Sequence, residues 1–461
     1  MKIKINSQIS IENASKEIKQ YCNDKLTINN PEIVKKQNMG FWTGNIPKTI
    51  KMYSKNGTAY ILPLGTIDDI WKIDNNLDDY NIDFGKHNKL DYPQCDIKLY
   101  DYQENAVNAM IRNKRGILES KCGSGKSIMG IEIIKRIGYK GLIICQTKEI
   151  LNQFVDYMQN VFNISKGQYG IIAEGKVEIG SLITIALRQT LSKIDLLQYK
   201  NEWGTIIVDE VQEVGGSITK VSQYSKILNN LVSEYRIGLS ATGYRVDGLS
   251  QCLYALMNTV KYRIGEDSIK DKIIKAKVQK IDTNYEINSN VQKYDGTILY
   301  NKLSTDIAEN IERNDLILEK LKENKDNYCL VLSDRLSGLN YLKSILGEGL
   351  LIDGGMVSKK AKEERKQAIE KIRNKEEHFL FATYSLAREG LDIKPLNRLF
   401  LIAPTKNKIT IIQSVGRIER QDKDKENPIV YDFVDKGLYF DKAWKTRKSI
   451  YKKNNNIIIG G

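Results

Sequence analysis

The chain runs to 461 residues, 41% hydrophobic and 28% charged, with 71 Lys and Arg against 57 Asp and Glu for a net charge of +14. That composition is globular and leaves room for roughly two to four domains. Only two histidines, His87 and His378, are present, which all but excludes histidine catalysis and a zinc centre.

The basic balance fits a polyanionic partner. Lys, Asn and Ile are abundant throughout, however, as an AT-rich genome would also produce, so charge alone leaves the partner open. The six cysteines (Cys22, Cys95, Cys122, Cys145, Cys252 and Cys329) show no C-x-x-C spacing and read as free thiols in a reducing compartment. Met1-Lys2-Ile3-Lys4-Ile5 lacks the apolar stretch of a signal peptide. No apolar run approaches the ~18 residues of a membrane span. The expectation is a cytoplasmic protein, a monomer or weak oligomer, with no membrane partner.

In chain order, residues 1–96 read as short alternating strands with turn signals at Asn56-Gly57 and Pro63-Leu64-Gly65 and an aromatic pair at Phe41-Trp42. They form a small α+β accessory domain in this reading, expected to bind DNA. From about Arg115 short apolar strands alternate with helix-period segments. Strands are expected at Gly141–Cys145, Ile183–Ala186, Thr205–Val208 and Arg236–Ser240, with a helix at Lys148–Gln159. A second series follows at Cys329–Leu332, Leu350–Ile352, Phe379–Ala382, Leu399–Ile402 and Ile429–Phe433. The segment from Lys270 to about Lys325 supplies the first strand and helix of this second series. The fold class is α/β: two tandem parallel-sheet domains, 97–265 and 266–461, behind the small α+β domain.

The loop Lys121–Ser127 follows the apolar run Gly116-Ile117-Leu118 and opens a helix-period segment, Ile128–Ile137, that stops at Gly138. A glycine-rich turn between strand and helix turns backbone N–H groups inward, and the helix N-terminus adds positive potential. Gly123 and Gly125 let the backbone approach phosphate oxygens, with Ser124 between them. Lys126 reaches the β- and γ-phosphates of a nucleotide and the Ser127 hydroxyl binds Mg²⁺. Ser120 stands where a full phosphate-loop signature has its first glycine.

Further on, the apolar strand Thr205–Val208 ends in Asp209-Glu210-Val211-Gln212. Asp209 suits the hydration shell of Mg²⁺, and Glu210 suits the orientation and deprotonation of an attacking water. Ser240-Ala241-Thr242 offers small hydroxyls at a strand end that could relay the state of the γ-phosphate. In the second domain, Thr383–Asp392 follows a strand, and Gln413–Arg420 carries Arg417 and Arg420 on one face at i and i+3. Those arginines either neutralise phosphate charge or form surface ion pairs with Glu419 and Asp422. The segment Lys442–Lys453 holds six basic residues, Trp444 and Tyr451, and no acid. It reads as a single-strand stacking surface or, equally, as a solvated helix docking its two aromatics.

Taken in order, these motifs resemble the superfamily 2 helicases over about residues 97–435, with Leu99-Tyr100-Asp101-Tyr102-Gln103 and Gln146–Gln153 completing the series. The resemblance implies RecA-like domains and ATP with Mg²⁺ as cofactors. It further implies that Gln103 reads the adenine edge, that Thr147 and Thr383 belong to motifs gripping the nucleic-acid backbone, and that Gly390 and Asp392 lie in the motif linking the two sites. Gln413, Arg417 and Arg420 would complete the nucleotide site across a cleft between the two domains. Gln212 stands where related DExH enzymes carry His, so coupling there needs no titrating proton.

Three details are similar to the DNA helicases of phages and large DNA viruses, the UvsW-like and poxvirus types. They are Gly238–Gly248, Arg388–Asp392, and the leader containing Leu26–Pro31 and Gly40–Gly44. The expected function is an ATP-dependent DNA translocase that unwinds duplex or branched DNA 3′→5′, in the host cytoplasm if viral. The alternatives are an RNA helicase and a transcription-release translocase on duplex DNA. A restriction motor lacks a convincing nuclease cluster here, and an inactive scaffold is disfavoured by the complete set of Lys126, Asp209, Glu210, Arg417 and Arg420.

Overall fold

A computed structural model describes the chain except residues 38–41, 122, 216–220, 246, 266–267, 269–272, 293, 354–358, 389–392, 423–424 and 460–461. It divides into two compact units, Met1–Ser268 and Ile269–Gly461.

The first unit begins with a five-stranded sheet in the order Ser54–Asn56, Ala59–Pro63, Gln8–Glu12, Lys2–Ile5, Tyr80–Ile82, antiparallel except for the last pair. Strict alternation builds it: Ile3, Ile5, Ile9 and Ile11 are buried while Lys2 and Lys4 face water. Helix Lys16–Asp24, capped by the Ser15 hydroxyl accepting from Ile18 N–H, covers the apolar face with Ile18 and Cys22.

That small core does not end with itself. Cys252 and Ala255 of helix Ser250–Met257 pack into it. Gly65 approaches the same helix so closely that a side chain would collide with the carbonyls of Tyr254 and Ala255. Lys261 pairs with Asp68 nearby.

The second sheet of this unit runs in the order Lys176–Val177, Tyr169–Ala173, Ile183–Leu187, Gly141–Cys145, Thr205–Val208, Tyr235–Ser240, Arg115–Glu119, Val260–Arg263. Every pairing is parallel except that of the short edge strand Lys176–Val177. The central strands are apolar runs buried on both faces, as crossover helices require. Tyr235–Ser240 lies between the strand ending at Val208 and the strand ending at Glu119, with Val208 opposite Gly238 and Ser240 opposite Glu119. The loops after Glu119, Val208 and Ser240 therefore leave the same edge of three neighbouring strands, where open α/β sheets bind ligands.

The second unit holds a seven-stranded, all-parallel sheet in the order Leu350–Ile352, Phe379–Thr383, Cys329–Ser333, Arg398–Leu401, Ile429–Lys436, Lys277–Glu286, Ile457–Ile459. Lys277–Glu286 comes from the connecting segment, followed by helices Tyr300–Glu309 and Ile311–Lys322. The strands Tyr169–Ala173, Val260–Arg263 and Ile457–Ile459 escape the sequence reading. Among the described residues, no helix is long and apolar enough to cross a membrane.

Helix Leu438–Lys453 decides between the two readings of the basic C-terminal segment. Trp444 and Tyr451 are buried in the sheet's core, so neither is a stacking platform. Between them Arg447, 2% exposed, donates to Asp432 at 2.8–3.0 Å and to the Thr405 carbonyl at 3.1 Å. Tyr451 adds a hydroxyl bond to Asp432 at 2.7 Å. Removing one member of a buried pair strands the other's charge. Asp432→Ala is therefore expected to cost about 3–5 kcal/mol, read as a fall in the denaturant midpoint. A change under ~1 kcal/mol would put this pair in the surface class.

Candidate nucleotide site and nucleic-acid contacts

The phosphate loop is assembled before its helix. Gly123 and Gly125 both have φ +83°, the left-handed region that glycine enters without strain. Gly125 caps helix Lys126–Ile137, whose far end closes on Gly138 at φ +76°. The first-turn N–H groups of a three-turn helix thus face the loop. Ser120 fills the missing-glycine position with a hydroxyl bonded to Ser124 Oγ at 2.7 Å, and its N–H donates to Ser240 O at 2.9 Å. The serine hydroxyl thus adds a bond within the loop, while the backbone bond to Ser240 is one that any residue here would make. Lys126 Nζ lies at the loop's mouth, donating to the carbonyls of Ser120 (3.0 Å) and Lys121 (3.1 Å).

Gln103 joins this loop to the helix Asp101–Asn113. Its Oε1 accepts from Tyr100 N–H at 3.1 Å and its Nε2 donates to Ser124 O at 2.9 Å. Tyr102 donates its hydroxyl to the same carbonyl at 3.2 Å. Reading an adenine edge would require Gln103 to exchange one of these bonds. Tyr102 is not among the expected site residues; only its place beside Gln103 marks it in the sequence.

Asp209 and Glu210 follow the strand Thr205–Val208. Burial pushes the Asp209 carboxyl up to about 7, the Glu210 charge adds to this, and Lys126 pulls it down. A buried carboxylate lifted by its acidic neighbour is a site that a divalent cation relieves. Asp209 and the Ser127 hydroxyl fit Mg²⁺, which binds through few protein oxygens and otherwise keeps water and phosphate ligands.

Glu210 sits at φ +46°, which turns the chain sharply after the strand. Its carboxylate accepts from the Gln212 amide; the Gln212 carbonyl oxygen accepts from Ser240 Oγ. Ser240 Oγ in turn accepts from Thr242 N–H at 2.9 Å. Glu210, Gln212, Ser240 and Thr242 form one hydrogen-bonded run, in which Gln212 takes part through a neutral amide. Thr147 follows the next strand and caps helix Lys148–Asn160, its hydroxyl accepting from Ile150 N–H at 3.4 Å.

In the second unit, Thr383 ends its strand with its hydroxyl 2.9 Å from Ser385 Oγ. Gln413 and Arg417 lie buried in helix Lys408–Ile418. The Gln413 carbonyl oxygen is buried with no hydrogen-bond partner among the described residues. Arg420 follows the helix, its backbone bridging Ile273. Glu419 ties the strand ends together, accepting from Ala276 N–H at 3.2 Å and Asn456 Nδ2 at 2.7 Å, and Asp422 pairs with Lys375 at 3.4 Å. Gly390 and Asp392 lie outside the described residues.

Family models match both units: "Type III restriction enzyme, res subunit" over residues 96–245 and "Helicase conserved C-terminal domain" over residues 312–422. Viral and phage helicases stand among the curated relatives. A putative ATP-dependent RNA helicase of Acanthamoeba polyphaga mimivirus is 28% identical over 80% of this chain and 72% of its own. The DNA 3′-5′ translocase XPB2 of Sulfurisphaera tokodaii is 24% identical over 74% and 82%. Among solved structures, S. cerevisiae Dbp5 bound to RNA and ADP BeF3 shares the fold at TM-score 0.57, with 14% identity over 79% of this chain and 90% of that one. The two parallel sheets are thus RecA-like domains, and the chain belongs to the superfamily 2 helicases, ATP-dependent enzymes acting on nucleic acid.

Proposed function

We propose that this helicase is a cytoplasmic DNA translocase that hydrolyses ATP to unwind duplex or branched DNA, tracking 3′→5′. The carrying observation is the hydrogen-bonded run from Glu210 through Gln212 and Ser240 to Thr242, set beside the phosphate loop. It supports a site where water activation and nucleotide sensing share one network.

In this reading the loop N–H groups and Lys126 hold the triphosphate. Mg²⁺, held by Ser127 and Asp209, would supply charge neutralisation on the phosphate oxygens. Glu210 takes a proton from water as its oxygen bonds to the γ-phosphorus and the bond to the ADP oxygen breaks, leaving ADP and phosphate. Gln413, Arg417 and Arg420 stabilise the charge on the transferring phosphoryl group. Loss of the γ-phosphate alters what Gln212 can bond, moving Ser240 and Thr242 and shifting the population between two conformations. Thr147 and Thr383 hold the strand through its phosphates, which carry no sequence information.

DNA is favoured over RNA by the likeness of Gly238–Gly248 and Arg388–Asp392 to viral DNA helicases and by the name of the Sulfurisphaera tokodaii translocase. The mimivirus relative's name makes RNA unwinding the second reading. A panel of forked, three-way, four-way and RNA-containing duplexes, assayed for ATP-dependent strand separation, decides between them. Separation of RNA duplexes alone would overturn the DNA assignment.

The outward face of helix Leu438–Lys453 carries Lys442, Lys445, Lys448, Lys452 and Lys453, all exposed. With the inner face fixed by Trp444, Arg447 and Tyr451, these lysines form one stripe suited to backbone tracking. Replacing Lys445, Lys448 and Lys452 by Glu is expected to weaken single-strand binding and to flatten its log–log salt slope by about 0.7 for each phosphate no longer neutralised. An unchanged slope assigns the stripe to a solvated face.

A further inference from the structure

The strand Tyr235–Ser240 leads into a short segment whose hydrogen bonds run in two directions. Toward the nucleotide loop, Arg245 Nη1 donates to the carbonyls of Val214 (2.8 Å) and Gln212 (3.4 Å). Arg245 Nε donates to Asp247 Oδ1 at 3.0 Å, and Nη2 pairs with the other oxygen of that carboxylate. The guanidinium lies against Gly215, where an added Cβ would stand 2.7 Å from Nη1. Asp247 is held in turn by Leu249 N–H at 3.1 Å.

Toward the other side, Arg245 N–H donates to Ser250 Oγ at 2.9 Å, at the start of helix Ser250–Met257. Tyr254 of that helix donates its hydroxyl to Gly243 O at 2.9 Å. The helix divides its apolar side chains between two cores. Leu253, Leu256 and Met257 enter the core of the parallel sheet, whereas Cys252 and Ala255 enter the core of the N-terminal sheet. Gly65 of the N-terminal domain is in backbone contact with it.

We propose that Arg245 is a positioning residue that sets the Gln212–Val214 loop and carries its position through helix Ser250–Met257 to the N-terminal domain. The accessory domain then responds to the nucleotide. The proposal rests on the ATP-site reading above and adds the route by which that site reaches residues 1–96. One planar fork bonding two carbonyls and a carboxylate has no lysine equivalent, because an ammonium is a point charge without the fork's geometry. Close packing on both faces of the helix makes it a stiff element, unable to absorb a displacement at one end alone.

The full-length chain with a non-hydrolysable ATP analogue provides the test, by amide hydrogen exchange across 59–70 and 250–257. In the wild type the analogue is expected to change exchange in both stretches. In Arg245→Ala the analogue still binds, within about threefold, but the change at 59–70 disappears, and kcat falls by about tenfold or more at near-constant KM. Arg245→Lys gives the same split. Should Arg245→Ala not fold, Asp247→Asn, which weakens the guanidinium's anchor, is read by the same exchange. Persistent coupling at 59–70 in these variants overturns the proposal. So does a kcat loss that tracks melting temperature and is restored by Arg245→Lys. A wild-type chain that does not bind the analogue overturns the ATP-site reading, and the proposal with it.

Discussion

Glu210→Gln is expected to lower nucleic-acid-stimulated ATP turnover by about 10²–10⁴-fold while leaving ATP and nucleic-acid binding nearly intact. The amide keeps the size of the carboxylate and can still accept from Gln212, so the hydrogen-bonded run to Ser240 survives. What it loses is the ability to take a proton from the attacking water. The variant therefore separates chemistry from positioning: kcat collapses, KM moves little, and the ATP-bound form accumulates. Lys126→Ala should instead abolish turnover by weakening nucleotide binding itself. Undiminished turnover in Glu210→Gln would remove Glu210 from the chemistry and leave the run as a structural turn.

Phosphate chemistry made the first site legible. A loop that admits a triphosphate needs glycines, a lysine and a hydroxyl within seven residues, as Lys121–Ser127 supplies. The Asp209-Glu210 pair is a common strand ending taken alone, and it gains meaning from following the phosphate loop along the chain. The departure at Ser120 was visible, but its bonds to Ser124 and to the Ser240 carbonyl were not, because Ser240 arrives from far along the chain.

Long-range contacts explain the other gaps. Gly65 meets Tyr254 without leaving any local pattern, and Arg245, though inside the Gly238–Gly248 stretch, bonds Val214 from well along the chain. Trp444, Arg447 and Tyr451 share a spacing that marks one helix face. An arginine in that face reads as solvent-exposed until Asp432, on the neighbouring strand, is known to lie beneath it. The strand Val260–Arg263 hides behind its charged residues because it is a half-exposed edge, where apolar continuity is not required.

Arg420→Ala is expected to reduce ATP turnover by about 10³–10⁵-fold, with Arg417→Ala close behind. Charge spreads onto the oxygens of the transferring phosphoryl group as its bond to ADP weakens, and a fixed guanidinium stabilises that charge more than the ground state. Both arginines are carried at a rigid place. Arg417 is 7% exposed in helix Lys408–Ile418, and the backbone after it is pinned by the bridge from Arg420 to Ile273 and by Lys425 Nζ donating to Arg420 O at 2.6 Å. That anchoring is main-chain, so truncating the Arg420 side chain should leave the fold in place, and a melting curve checks it. Arg420→Lys should not restore activity, because the ammonium cannot reproduce two parallel N–H bonds. The decisive comparison is kcat against ATP affinity. A large loss in kcat with affinity kept identifies a group acting on the transition state, whereas equal losses in both, or wild-type turnover, would return Arg420 to the role of a structural ion pair.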